Sequence, residues 1–312
     1  MALTFNTKFD PQHGSAVEVG SGVARITAPN TGPYTYQGTN TYLIGTASLA
    51  IVDPGPDDPD HFEALIKAIG ERPIEAIILT HSHLDHTPLT ERLKAHSAAP
   101  VYAAGPHRPY RELSAEELAQ LGRSADLAFV PDRTLTDGQI IHGADWQLET
   151  VLTPGHTANH AAFAIAGTPM LISGDHVMGW STTIVAPPDG SMADYLRSLD
   201  ILLSRPEAHY LPGHGDAIVN AHPYVKGLKT HRIMRETAIF EQIANGTDSI
   251  ADIVTVLYRT IPAKLHGAAA MTVLAHLESL IVSGRISATD SPVTLQSKFS
   301  IASGLVTRPD GS

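Results

Sequence analysis

The chain contains no cysteine, and this absence excludes several kinds of chemistry at once. It can form no disulfide, iron–sulfur cluster or thiolate nucleophile, so a zinc site would need histidine and carboxylate ligands. The chain also lacks any run of 18 apolar residues, and its first residues, MALTFNTKFDPQHG, show no basic region followed by an apolar stretch. We therefore expect neither a membrane span nor a secretory signal, and a cytoplasmic location.

Basic residues are few: 21 Lys and Arg stand against 32 Asp and Glu, which gives a formal net charge of −11. A chain with this charge has no general attraction for nucleic acid, although a local basic patch is compatible with it. Hydrophobic residues make up 43% of the 312 positions, enough for a globular protein with a sizeable core in one or two domains.

The first two thirds of the chain predict strands and helices in mixed order. Short strands with turns are expected across 22–54, a helix over 58–70 and a buried strand over 74–80. Further on, we expect helices at 87–97, 114–122 and 192–204, and strands at 100–104, 208–211 and in the segments LAFV, GQIIHG, WQLETVLT, HAAFAIAG and PMLISGD. This order predicts a layered α/β (α+β) fold.

The character of the sequence changes near residue 225. Helices are expected over 228–244, 249–259 and 267–283, followed by a hairpin from GRIS and KFSIAS. Three helices and a terminal hairpin are typical of a winged helix. We therefore predict a catalytic domain over 1–225, a winged-helix-like domain over 226–303 and a tail over 304–312.

Histidine and aspartate cluster directly after predicted strands. The segment His81-Ser82-His83-Leu84-Asp85-His86 offers four candidate ligands in six residues, at the end of the strand 74–80. Three single candidates follow other strands, namely His156 in TPGHT, Asp175 in SGDH and His214 in LPGHG. Imidazole and carboxylate suit Zn²⁺, and Mn²⁺ or Fe²⁺ accept the same ligands, so we predict a metal site at one edge of the sheets.

The order of these motifs resembles the metallo-β-lactamase superfamily. The resemblance implies a four-layer αββα sandwich with two metal ions per chain at one edge of its two sheets. It implies that His81, His83 and His156 bind the first metal, that Asp85, His86 and His214 bind the second, and that Asp175 bridges the two.

The segments GTNTYLIG, IVDPG, THSHLDH, TPGHTANH, SGDHVMGWSTTIV and YLPGHG resemble more specifically the lactamase-β-like-2 group, whose members carry a C-terminal winged helix. That group includes a mitochondrial endoribonuclease. The resemblance covers roughly 25–288. Two positions depart from the endoribonuclease: His176 stands where it has Cys, and Tyr36 replaces an apolar residue.

Several other residues are candidates for positions around the metals. Asp53 is expected to orient a ligand histidine, and His160 and His176 are expected next to the ligands, with a substrate contact as the alternative for His176. Thr39 and Asn40 are candidates for substrate hydrogen bonds, with a turn-holding role as the alternative for Asn40. Trp180, Thr182 and Thr183 are candidates for the pocket wall. The remaining histidines match no motif and are expected at the surface or in packing; they are His13, His61, His96, His107, His142, His209, His222, His231, His266 and His276.

Two metal ions can lower the pKa of a shared water and hold it as hydroxide, with Asp85 orienting it or passing a proton to the leaving group. This chemistry predicts a hydrolase of small esters, thioesters or lactones. A phosphodiesterase acting on single-stranded RNA is the alternative, and it would need a basic track; the candidates are Arg108, Arg111, Arg232 and Arg235.

A third class is a nucleic-acid-binding or interaction module, through a winged helix with Lys264, His266 and Arg285 nearby. Its third helix is too apolar to read duplex DNA, so we expect it to pack against the sandwich or against a second copy of the chain. Neither a membrane partner nor duplex DNA is expected, and a homo-oligomer is an alternative to a single chain.

Overall fold

The computed structural model describes residues 3–113, 115–260, 262 and 265–303. The predicted tail 304–312 and Lys264 lie outside the described residues. Seven strands form the first sheet, in the order β1 to β7: β1 (Val17–Gly20), β2 (Val23–Thr27), β3 (Asn40–Ile44), β4 (Leu49–Val52), β5 (Ile74–Ile78), β6 (Val101–Ala103) and β7 (Arg133–Thr134). Six strands form the second sheet: β8 (Ile140–His142), β9 (Gln147–Leu152), β10 (Ala161–Ile165), β11 (Met170–Gly174), β12 (His209–Pro212) and β13 (Ile218–Val219), running from β13 at one edge to β8 at the other.

Helices cover the outer faces of both sheets. Next to the first sheet lie α1 (Pro59–Ile69) and α2 (Thr90–Ser97), and α3 (Ala115–Leu121) follows β6 in the chain. Next to the second sheet lie α4 (Met192–Ser204) and the first part of α5 (Ala221–Ala244). Helix α1 begins after Asp58, whose side chain accepts a hydrogen bond from the His61 amide, and α4 begins in the same way after Ser191.

Alternating side chains of the strands fill two different cores, which gives the four layers. In β3, Tyr42 and Ile44 point between the two sheets, where they meet Phe163 of β10, whereas Leu43 points toward α1. A third core lies between the second sheet and α4, where Tyr195 is completely buried. The predicted αββα sandwich is therefore confirmed.

The C-terminal part forms a small winged helix with its own core. It consists of the second part of α5, α6 (Ile250–Leu257), α7 (His266–Val282) and an antiparallel hairpin of β14 (Ile286–Ala288) with β15 (Phe299–Ile301). Helix α5 begins seven residues before the predicted start at 228, because the apolar residues Ala221 and Val225 already pack on the sandwich. The predicted domain boundary after 225 thus falls inside one continuous helix.

One predicted strand was wrong. The segment LAFV at 127–130 forms a turn, in which the Asp126 side chain accepts a hydrogen bond from the Ala128 amide and the Asp126 carbonyl accepts one from Phe129. Phe129 is buried against the first sheet, so its apolar character reflects packing of a loop and not a strand. No helix in the described part of the chain is long and apolar enough to cross a membrane.

Candidate metal centre

The seven predicted ligands lie together at one edge of the two sheets. The segment from His81 to His86 follows β5, whereas His156 follows β9, Asp175 follows β11 and His214 follows β12. The strands β4 and β5 are parallel, as are β11 and β12, so their carboxyl ends meet at this edge. The ligand atoms fall into three overlapping groups, each with its atoms within 4.8 Å of one another: His81, His83 and His156; His81, His86 and Asp175; and Asp85, His86 and His214.

The first group brings three imidazole nitrogens to one point. His83 Nδ1 lies 3.0 Å from His81 Nε2 and 3.1 Å from His156 Nε2. Three nitrogens bound tetrahedrally to one zinc ion at 2.0–2.1 Å would stand about 3.3 Å apart. The spacing and the donor chemistry therefore fit a divalent metal.

The remaining candidates form what we call the second group, which combines two imidazoles with two carboxylates: His86, His214, Asp85 and Asp175. His214 Nε2 lies 3.1 Å from Asp85 Oδ2 and 3.2 Å from Asp175 Oδ2. Asp175 also faces the first group, since its Oδ2 is 3.8 Å from His156 Nε2. Asp175 Oδ1 and His86 Nε2 are buried and have no hydrogen-bond partner among the described residues. Buried polar atoms normally have partners, and a metal at this position would satisfy both.

Gly213 lies directly against the second group and leaves space for its side chains because it has no side chain of its own. A Cβ atom at this position would lie only 2.3 Å from Asp175 Oδ1 and 2.9 Å from the His86 ring, so any side chain would push into the ligands. The glycine that precedes His214 in the LPGHG motif is thus required by the close approach of its backbone to the site.

The protein compensates buried charge within the site itself. Burial alone would lower the pKa of His214, but the Asp175 and Asp85 carboxylates outweigh this effect and raise that pKa to about 10. In turn, burial would raise the pKa of Asp175, yet His214 and His86 hold it well below its usual value. In contrast, burial lowers the pKa of His81 well below its usual value. Histidine in its neutral form is the form that binds metal.

Asp53 contacts a ligand histidine, as the sequence indicated. Its Oδ2 accepts a hydrogen bond from His86 Nδ1 at 2.9 Å, which leaves Nε2 of that ring facing the other ligands. Asp53 also accepts hydrogen bonds from the amide and the hydroxyl of Thr80. Its backbone has a φ of +51°, a conformation that non-glycine residues seldom adopt, and these contacts hold it there.

Asp189 orients His83 in the way that Asp53 orients His86, and no sequence pattern predicted this contact. Its Oδ2 accepts a hydrogen bond from His83 Nε2 at 2.6 Å, so that Nδ1 of His83 faces His81 and His156. The other carboxylate oxygen lies 3.4 Å from His107 Nε2, and Nδ1 of that ring contacts the Ser82 hydroxyl at 2.9 Å. His107, expected as an ordinary surface or packing residue, therefore belongs to the surroundings of the site.

No local signal distinguishes Asp189. The segment Pro187-Pro188-Asp189-Gly190 has the composition of a turn, in which aspartate is common for backbone reasons. Only the path of the loop after β11 brings its carboxylate next to a ligand that lies 106 positions earlier in the chain.

Asn40 holds the loop of His214, and the structure does not support the substrate contact predicted for it. Its side-chain Nδ2 donates to the carbonyls of Pro212 and Gly215, and its Oδ1 accepts from the Thr27 hydroxyl. The residue is fully buried, so its hydrogen-bonding groups are used inside the protein. The alternative expectation, that Asn40 holds a turn, describes its position.

Thr39 is also fully buried, which argues against the predicted substrate contact. Its hydroxyl accepts a hydrogen bond from Asn30 and lies 3.4 Å from Asp85 Oδ2. Thr39 therefore touches a ligand carboxylate from inside the protein. Asp85 is itself the most exposed of the seven ligands, with 26% of its side chain accessible.

His160 and His176 are buried beneath the ligands. The His160 ring lies 5.3 Å from that of His81, and its Nδ1 contacts the Thr153 hydroxyl at 2.8 Å. His176 packs on Tyr195, with ring centroids 4.5 Å apart, and burial lowers its pKa to about 3. Of the two alternatives for His176, the buried position favours the one next to the ligands over a substrate contact.

The predicted pocket-wall residues divide into two kinds. Trp180 stacks on Tyr36, with ring centroids 4.8 Å apart, and lies against the Gly215 position beside His214. Thr183 is buried and donates its hydroxyl to backbone carbonyls, so it is not part of an open wall. Thr182 is partly buried.

The arginines considered for a basic track each have a partner in the protein, and Arg232 among them is buried. Arg108 donates to the Ala158 carbonyl, and Arg111 pairs with Glu117 through both of its terminal nitrogens. Arg232 is buried, and Arg235 donates to the Leu257 carbonyl in the winged helix. These positions do not form a continuous basic surface.

Comparisons with known proteins agree with this architecture. A sequence model of the metallo-beta-lactamase superfamily matches residues 34–214, and one of the beta-lactamase associated winged helix domain matches 249–294. A Drosophila melanogaster protein named beta-lactamase-like protein 2 homolog is 30% identical over 282 residues, which cover 85% of this chain and 90% of the relative.

Two further similarities come from a fungal enzyme and a solved structure. The atrochrysone carboxyl ACP thioesterase of Aspergillus fumigatus is 27% identical over 261 residues, covering 77% of this chain and 75% of the relative. The fold is similar to that of a beta-lactamase domain protein from Burkholderia ambifaria, with a TM-score of 0.77 at 23% identity over 95% of this chain and 96% of that one. The chain belongs to the metallo-β-lactamase superfamily and combines its catalytic fold with a β-lactamase-associated winged helix.

Proposed function

We propose that this protein is a dinuclear metal-dependent hydrolase of acyl compounds, namely thioesters, esters or lactones. Thioesters are the proposed preferred substrates. The observation that carries the proposal is the convergence of seven ligands in three overlapping groups at the sheet edge. The position of Asp175, which faces both His214 and His156, supports two neighbouring ions. Zinc suits these ligands best, and Mn²⁺ or Fe²⁺ are the alternatives.

His81, His83 and His156 would hold one ion, Asp85, His86 and His214 the other, and Asp175 both. When bound, two such ions supply Lewis acidity and an activated water at neutral pH. Asp85 is suited to receive a proton and pass it to the leaving group, because it is the ligand most exposed to an incoming substrate. Asp53 and Asp189 fix the rings of His86 and His83, so the geometry is set before substrate arrives.

The choice of an acyl substrate over single-stranded RNA rests on charge and on relatives. A ribonucleic acid backbone needs a basic path to the site, and the arginines near it are paired, buried or held by backbone carbonyls. Relatives of this chain include a named thioesterase. Hydrolysis of an acyl thioester breaks the C–S bond and releases a thiolate. This leaving group needs little protonation, which suits a site whose acid is a single carboxylate.

Helix α7, all of which the structure describes, has a composition and burial unsuited to reading duplex DNA, which supports the same proposal. Residues Val273, Leu274, Leu277 and Leu280 of α7 are buried in the winged-helix core. His276, midway along the helix, is buried as well. A recognition helix would present polar and basic groups to the groove instead.

The test is a substrate screen of the zinc-loaded full chain. Acyl-coenzyme A thioesters, aryl esters, lactones, bis-p-nitrophenyl phosphate and a single-stranded RNA would be compared before chelation, after chelation and after zinc is restored. We expect metal-dependent turnover that is fastest with a thioester. Turnover of RNA or the phosphodiester alone would instead establish the phosphodiesterase, and turnover that survives complete metal removal would refute both.

A further inference from the structure

Helix α5 belongs to both parts of the protein. Its first turns pack on the second sheet and on α4 through Val225 and Leu228, whereas Ile239 and Ile243 near its end lie in the winged-helix core. A helix of 24 residues is about 36 Å long. One unbroken helix therefore contributes side chains to both cores.

Arg232 lies in the middle of helix α5 and is only 3% exposed. Its Nη2 donates a hydrogen bond to the Thr183 carbonyl, and its guanidinium lies 5.5 Å from the centre of the Tyr195 ring. Among the described residues, no carboxylate comes within ion-pair distance of it. Burial of an unpaired cation is costly, so an apolar side chain would be the cheaper way to fill this space.

Both neighbours of Arg232 hold the backbone at the predicted bridging ligand. The Thr183 hydroxyl contacts the carbonyl oxygens of Asp175 and His176, at 2.8 and 2.9 Å. The Tyr195 hydroxyl donates to the same His176 carbonyl at 3.1 Å. Two paths thus lead from one buried guanidinium to the two residues at the end of β11.

We propose that Arg232 is a positioning residue for Asp175, and that through it the helix shared with the winged helix maintains the metal centre. The guanidinium fixes the Thr183 carbonyl and the Tyr195 ring, and these fix the backbone from which the Asp175 carboxylate projects. The winged helix is then a structural part of the active site, although none of its residues is a ligand. The inference rests on the proposed metal binding, so the wild-type protein is measured first.

The matched control is Arg235, one turn further along α5. It lies over the Tyr258 ring at 4.3 Å and donates to the Leu257 carbonyl, so it has the same kind of surroundings but faces α6 instead of the metal site. The variants are Arg232→Met, Arg235→Met, Thr183→Val and Thr183→Ser. The serine retains the hydroxyl that contacts the Asp175 carbonyl, and the valine removes it.

The measurements are metal equivalents per chain, the rate of metal loss to a chelator, the absorption spectrum of the Co²⁺-substituted protein and the melting temperature. We expect Arg232→Met and Thr183→Val to lose metal about 10-fold faster and to change the Co²⁺ spectrum, since groups that support a ligand alter metal affinity by about 10–100-fold. Thr183→Ser should behave as the wild type. Arg235→Met should lower the melting temperature and leave both metal readouts unchanged.

Wild-type metal retention and Co²⁺ spectrum in Thr183→Val and in folded Arg232→Met would overturn the inference and leave the proposed function standing. Equal metal loss in Arg232→Met and Arg235→Met would also overturn it, because that result reports general destabilisation. Should Arg232→Met fail to fold, Arg232→Gln, whose side chain is shorter and uncharged but still polar, is held to the same criteria. The comparison of Thr183→Val with Thr183→Ser tests the link from Thr183 to Asp175. A wild-type chain that binds no metal would overturn the proposed function and this inference together.

Discussion

The Asp189 carboxylate accepts a hydrogen bond from His83 Nε2 at 2.6 Å and so turns Nδ1 of that ring toward His81 and His156. Asp53 accepts a hydrogen bond from His86 Nδ1 and so turns Nε2 of that ring toward the other candidate ligands. The first and the second group of candidate ligands therefore each contain one histidine whose orientation is set by a buried carboxylate.

Replacement of Asp189 should weaken the first group selectively. Asp189→Asn retains the size of the side chain and removes its charge, and we expect metal affinity to fall about 10–100-fold. Competition with a coloured chelator measures the change. Asp200→Asn removes a carboxylate that pairs with Lys229 on the surface and should retain wild-type affinity. Equal affinities in the two variants would show that Asp189 does not support the ligand.

Loss of the predicted bridge should affect both metals. Elemental analysis should give about two equivalents for the wild type, as expected for a two-metal site, and fewer for Asp175→Ala. Turnover should fall by orders of magnitude while the circular dichroism spectrum is preserved, because the site lies at loops outside the cores. Asp216→Ala, just past His214 and half-exposed, is the control. An Asp175→Ala protein with two metals and normal turnover would disprove the bridging role.

Asn40 should contribute to stability more than to substrate recognition. Asn40→Ala removes four buried side-chain hydrogen bonds and leaves the Gly215 carbonyl without its Asn40 donor, whereas the Pro212 carbonyl keeps the Tyr42 hydroxyl as a donor. We expect the free energy of unfolding to decrease by about 2–3 kcal/mol, measured by denaturant titration. A substrate-binding role predicts the opposite pattern, with a raised KM and unchanged stability.

Glu278 should make the stability of the protein depend on pH. It lies on α7, where burial and the neighbouring Glu117 raise its pKa to about 7 against the lowering effect of Arg111. The folded protein therefore holds this proton more tightly than the unfolded chain. As pH rises from about 4.5 to 7, the stability contributed by the protonated form is lost.

Glu278→Gln should remove this loss and stabilise the protein by about 1–2 kcal/mol above pH 7, with little effect at pH 4.5. Unfolding titrations at both pH values measure the difference. Glu63→Gln, on the exposed face of α1, controls for the loss of one negative charge. Equal stability changes for Glu278→Gln at the two pH values would refute the assignment.

The candidate ligands could be predicted from the sequence because each of them lies in a segment that follows a strand within a few residues. The chain direction of β5, β9, β11 and β12 then determines which sheet edge receives the side chains, and residue type determines the chemistry. The role of Asp53 could be predicted for the same reason, since this residue follows β4 directly. The segment LAFV was misread because apolar residues that pack a turn against a core have the composition of a short strand.

Other features depend on contacts between residues far apart in the chain, and only the tertiary structure reveals them. Asp189 lies 106 positions from His83, Arg232 lies 49 positions from Thr183, and the Asn40 side chain reaches Gly215 across 175 positions. The sequence by itself determined which residues can bind metal and which fold presents them. The tertiary structure decided which carboxylate, amide and guanidinium contact those candidate ligands. These contacts join residues far apart in the chain, so they leave no regular spacing in the sequence from which they could be predicted.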